Sequence, residues 1–112
     1  MSNAEYELRY LSLFFEDLSG IIRYIAEELH NPDAASDLLD KVEKAIEERK
    51  PFAESFLPYP TLKKRKWPYY TIDVGNYVIY YVVINHRIME VRRILYKGRD
   101  RMHILDEERN RS

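Results

Sequence analysis

The sequence has no cysteine, only three glycines and a single tryptophan, and no apolar run near the length of a membrane span. Without thiols, neither a disulfide nor a thiolate metal site can form. A spanning helix needs about 20 consecutive apolar residues, so no membrane association is expected. The N-terminus also lacks the basic-then-apolar order of a signal peptide. These absences fit a protein of the reducing cytoplasm, and that is the expected location. The three histidines, His30, His86 and His103, match no metal-ligand spacing, so neither metal nor cofactor is expected. Hydrophobic residues make up 46% of 112 positions, enough for one core. A single domain spanning 1–112 follows, with its core over about 6–105 and tails at 1–5 and 106–112.

Charge is unevenly distributed. Residues 1–61 hold 6 Lys/Arg against 13 Asp/Glu, residues 62–105 hold 10 against 3, and the last seven hold 2 against 3. The formal net charge of −1 therefore hides an acidic first half and a basic second half. A split of this size is either helix-surface charge or a sign of an anionic partner.

Periodicity predicts the elements. "YELRYL" (6–11) alternates weakly and suits a short strand. Ser12 is placed to cap a helix over about 13–29, striped by Leu18, Ile21, Ile22, Ile25 and Leu29. Gly20 weakens that helix or lets a neighbouring helix approach closely. Asn31 and Pro32 form an N-cap and first helical position. They open a second helix, 32–50, with a stripe of Ala35, Leu38, Leu39, Val42, Ile46 and Arg49. The short connection implies an antiparallel helical hairpin.

Residues 51–68 hold four of the five prolines and the basic run Lys63-Lys64-Arg65-Lys66, and read as loop. "YYTID" (69–73), "YVIYYVVI" (77–84) and "IMEVRRILY" (88–96) read as three strands, joined by turns at Gly75-Asn76 and Asn85-His86-Arg87. The fold class is α+β, β-α-α-β-β-β, with the N-terminal strand and the helical hairpin packed on one face of a curved antiparallel sheet. The strand at 77–84 is apolar on both faces. A second cover is therefore required: the C-terminal segment, a partner or a second copy.

The order of these elements, together with "DLSGIIRYIAEE", "NPDAASDLLDKVEKAI" and "GNYVIYYVV…IMEVRRILYKGRD", resembles the RelE/ParE superfamily, the toxins of type II toxin–antitoxin pairs. ParE-type members similarly show D-L-x-x-I-x-x-Y-I, then P-x-A-A, then R-x-L-x-x-x-R-D. The resemblance spans about residues 6–105. It implies a growth-inhibiting, plasmid-stabilising toxin neutralised by a cognate antitoxin, as a hetero-oligomer or a homodimer. It implies one of two targets: DNA gyrase for ParE-type toxins, or messenger RNA on the ribosome for RelE-type mRNA interferases. A non-catalytic nucleic-acid-binding module is a third class.

RNA cleavage by 2′-OH attack needs a base, an acid and cations for the phosphorane charge. RelE-type toxins place lysines on the second strand, an arginine after the Gly-Tyr entering the third, an arginine after the fourth and a tyrosine near the end. Here "YYTID" has no lysine, Val78 follows Tyr77, and Leu105 falls near the terminal tyrosine position. Only Arg99 matches cleanly, so the sequence leans toward the ParE-like, gyrase-inhibiting side or an untypical nuclease. Whether the chain is an enzyme stays open. If it is one, it is a metal-independent endoribonuclease with Arg99, Tyr96 and His103 as the catalytic candidates. A surface role is the commoner state for a histidine such as His103.

The segment 92–105, "RRILYKGRDRMHIL", holds five Lys/Arg and His103 in fourteen positions. Candidate target contacts are Arg93, Lys97, Arg99 and Arg101, with Lys63, Lys64, Arg65 and Lys66 as a second group serving target or antitoxin. Arg92 and Arg93 are neighbours on a strand and point to opposite faces. One is expected to pair with a carboxylate such as Asp73 or Glu90 and the other to face the target, the resemblance favouring Arg93. A cationic rim of this kind binds polyanions in a salt-dependent way. A solubilising tail would carry the same charge.

Overall fold

The computed structural model describes residues 5–60 and 65–98. Strand β1 (Glu7–Tyr10) leads into helix α1 (Ser12–Arg23), which runs on through a π-helical turn at Tyr24–Glu28. Helix α2 (Pro32–Arg49) ends in a 3₁₀ turn at Lys50–Phe52, and β2 (Tyr70–Val74), β3 (Tyr77–Ile84) and β4 (Ile88–Tyr96) follow. The α+β order is the one expected.

The sheet order is β1-β4-β3-β2. β2, β3 and β4 form an antiparallel meander, but β1 pairs with β4 in parallel, Glu7 opposite Ile88 and Tyr10 opposite Val91. The sheet is therefore mixed, a correction to the antiparallel expectation. Periodicity within a strand carries no information about the direction of a neighbour 81 residues away.

Local chemistry explains the helix ends. The Asn31 side chain accepts from the Ala34 backbone N–H at 3.1 Å, and Pro32 takes the first turn. Ser12, by contrast, is the first helical residue rather than the cap: Leu11 holds that position without a side-chain hydrogen bond. At the other end of the first helix, His30 adopts φ 52° and the Asn31 N–H reaches back to the Ile25 carbonyl at 3.1 Å. This is the left-handed closure that glycine usually provides. The wider π turn rotates the last residues away from the stripe, so Leu29, expected on the apolar face, is 54% exposed.

α1 lies over β4 and α2 over β2. Phe14, Leu38, Val42 and Ile46 meet Ile79, Tyr81, Val83, Met89, Val91 and Ile94 in the main core. A second cluster of Tyr69, Val78, Tyr80, Val82 and Leu95 fills the opposite face, packed by Tyr59, Trp67 and Ile84. Among the described residues, the Pro-rich loop thus supplies the second cover, a source absent from the three expected. A β-bridge ties it to the strand region, the Tyr59 N–H donating to the Tyr69 carbonyl at 2.6 Å.

Candidate target-binding surface

The geometry of the site begins with an irregularity. Tyr80 lies opposite Arg93 and Tyr81 opposite Val91, which leaves Arg92 as an extra residue in β4. Such a bulge re-aims the side chains around it. Arg92 turns toward the loop-covered face, where its Nε donates to Glu90 Oε1 at 2.9 Å and its guanidinium stands 6.0 Å from the Tyr69 ring. Glu90 is 5% exposed. Its other oxygen accepts from Arg9 Nη1 at 3.2 Å, so one buried carboxylate ties β1 to β4. Burial alone would lower the Arg92 pKa, but hydrogen bonds and charge from Tyr69 and Glu90 outweigh it and raise the value.

Arg93 turns the other way. Its Nε and Nη2 donate to the two oxygens of Asp17 at 2.7 and 2.9 Å, and Asp17 also accepts from the Ile94 N–H at 3.1 Å. Both side chains are nearly buried, at 12% and 13% exposure. The carboxylate partner expected for one arginine is Glu90, and it holds Arg92. The second pair, Asp17 with Arg93, was legible only in that the two motif words D-L-x-x-I and R-x-L each carry one charge of opposite sign.

Of the basic run, Arg65 stacks 4.7 Å from the Tyr69 ring and Lys66 lies 5.2 Å from the Trp67 ring. The structure therefore gathers Arg65, Lys66 and Arg92 around the aromatic cover of the second face. Lys97 is exposed just beyond β4, its backbone N–H held by the Asn76 carbonyl at 2.9 Å. Tyr96 ends β4 half-exposed, edge-on to Tyr77 at 5.9 Å. Lys63, Lys64, Arg99, Arg101 and His103, together with Leu105, lie outside the described residues. Val78, at the position where an arginine enters the third strand of a RelE-type toxin, is 2% exposed within the second apolar cluster.

A strand, a helical hairpin and a three-stranded meander closing beside the first strand define the small α+β architecture of the RelE/ParE-type toxins. Over residues 8–101 the chain matches the ParE toxin of type II toxin–antitoxin system, parDE, and it belongs to that family. Among solved structures it is similar to the chromosomal ParDE TA system from P. aeruginosa. The TM-score is 0.67 at 14% identity, over 82% of this chain and 96% of that one, a likeness of fold. A RelB-RelE antitoxin-toxin complex from Methanococcus jannaschii aligns at TM-score 0.44 and 25% identity, over 88% of this chain and 96% of that one. No curated protein matches. Among the described residues, no helix is long and apolar enough to cross a membrane.

Proposed function

We propose that this toxin inhibits growth by binding DNA gyrase, without nuclease chemistry, and that a cognate antitoxin neutralises it. The observation that carries this reading is Val78, buried among Tyr69, Tyr80, Val82 and Leu95 where a nuclease of this fold needs a cation beside the scissile phosphate. β2, "YTIDV", offers no lysine to replace it. Exposed cations remain at the rim in Lys66 and Lys97, suited to a DNA-bearing complex. The antitoxin has an apolar seat along the outside of the helical hairpin. There Phe15 (51% exposed) and Leu39 (42%) border a groove of about 550 Å³ floored by Leu18 and Ile22. An amphipathic helix fits such a groove.

Induced expression of the chain alone is expected to arrest growth, and co-expression of its cognate antitoxin to restore it. A supercoiling assay with purified gyrase should show inhibition, and primer extension on translating message should show no new cleavage sites. Site-specific cleavage with unimpaired gyrase would overturn the proposal in favour of the ribonuclease reading.

A further inference from the structure

A cleft of about 530 Å³ opens between α1, the start of β3 and the end of β4. Three tyrosines reach it from three elements: Tyr24 from the π turn, Tyr77 from the start of β3 and Tyr96 from the end of β4. Tyr24 and Tyr96 are 52% and 53% exposed, a large aromatic surface left in water. Gly98 sits under the Tyr96 ring, which an added Cβ would meet at 3.0 Å, so the ring is braced from behind. Glu16 stands exposed on the lining with no ion pair among the described residues, whereas Asp17 beside it is already neutralised by Arg93.

The helix floor carries a further sign. Gly20 lies in mid-helix, and a Cβ built there meets nothing within 4 Å. Of the two readings of Gly20, the close approach of a neighbouring helix is not seen among the described residues. Glycine costs a helix interior about 1 kcal/mol relative to alanine, and among the described residues no packing requires it. It does keep the cleft open along one wall.

We propose that this cleft receives the cationic end of a basic side chain, arginine above lysine, presented by a protein partner. An anion would meet Glu16 and the negative faces of three rings. A purely apolar group would strand three phenol hydroxyls and a carboxylate. A guanidinium satisfies all of them: its plane stacks on tyrosine, its five N–H groups donate to phenol oxygens and to Glu16, and its stem lies on Ile21 and Ile94. Burial and the neighbouring Tyr24 and Tyr96 raise the Tyr77 pKa, which keeps its phenol neutral. The proposal does not depend on which cellular target the toxin inhibits.

The test is a titration of the full chain, tyrosine rings isotope-labelled for NMR, with N-acetyl-arginine methylamide and its neutral counterpart N-acetyl-citrulline methylamide. Saturable shifts of the Tyr24, Tyr77 and Tyr96 ring signals are expected with the arginine probe, at least about tenfold tighter than with citrulline. Glu16→Gln, an exposed change, should weaken the arginine probe severalfold. Gly20→Phe should abolish the shifts, with Gly20→Ala as the folded control. Equal response to both probes, shifts confined to other tyrosines, or arginine binding unchanged in Glu16→Gln would overturn the proposal, whether or not Gly20→Phe folds.

Discussion

Arg93 on β4 and Asp17 on α1 face each other through two parallel N–H···O contacts of 2.7 and 2.9 Å, and this pair clamps the first helix to the end of the last strand. Both groups are largely out of water. Removing one leaves the other desolvated and stripped of this ion pair, which is more costly than removing both. Arg93→Ala is expected to lose about 3 kcal/mol of stability, and Asp17→Ala a similar amount, measured by urea unfolding. The double variant should recover part of that loss. Additive losses would show that the pair contributes no coupling.

The sequence yielded the strands, both helices and the hairpin turns because each is a local pattern. Asn31-Pro32 and Gly75-Asn76 are local instructions, and they are obeyed at 3.1 Å by the Asn31 cap and by Gly75 at φ 57°. What it withheld is long-range or irregular. The parallel β1–β4 pairing depends on where the chain returns after 81 residues. The bulge at Arg92 is invisible to a period-two reading, yet it decides that Arg92 joins Tyr69 and that Arg93 joins Asp17. The π turn shifts Leu29 off its stripe for the same reason. Of the candidate site, Arg65, Lys66 and Lys97 sit at the surface as a charge count suggests. The grouping of Arg65 and Lys66 around Tyr69 and Trp67 rests on a loop whose path no periodicity describes.

The Tyr81 hydroxyl makes two hydrogen bonds inside the main core. It donates to the Ala53 carbonyl at 2.7 Å and accepts from Arg49 Nη1 at 3.0 Å, while the Arg49 guanidinium lies 3.7 Å from the Phe56 ring. Tyr81 is wholly buried, so Tyr81→Phe leaves a buried acceptor unpaired and is expected to cost about 1–3 kcal/mol. The loop carrying Phe56 should loosen with it, seen as faster amide exchange at Ser55 and Phe56. A stability within 0.5 kcal/mol of wild type, roughly the range of neutral surface changes, would rule out this role.

Stability should fall on the alkaline side. Tyr6 is pushed up to about 12 by burial, by the hydrogen bond it donates to Glu54 at 2.8 Å and by the charge of that carboxylate. Burial likewise raises Tyr10, Tyr70, Tyr77 and Tyr81. In the unfolded chain these phenols lose their protons near pH 10, while the folded chain still holds them, so the unfolded state binds fewer protons and gains with rising pH. The stabilisation is complete below about pH 10 and is lost as pH rises toward 12. Tyr6→Phe should flatten this decline without changing stability at pH 7 by more than the value of the Glu54 hydrogen bond, about 1 kcal/mol. Urea midpoints between pH 8 and pH 11 measure it.

The gyrase reading separates cations that hold the fold from cations that reach outward. Lys66 and Lys97 are exposed, and neither closes a buried pair as Arg92 and Arg93 do. Lys66→Glu and Lys97→Glu should therefore leave stability within about 0.5 kcal/mol of wild type and still weaken inhibition. If the contact is to phosphate, each reversal should also lower the salt dependence of binding by about one counterion. Arg93→Lys behaves differently. It keeps the charge but loses the two-point contact with Asp17, so its toxicity should follow its stability and return on cooling. Dose–response curves for supercoiling inhibition, read beside unfolding curves for the same variants, distinguish the two groups. If Lys97→Glu and Lys66→Glu inhibit as well as wild type at every salt concentration, the rim is only a solubilising surface and the target contact lies elsewhere on the molecule.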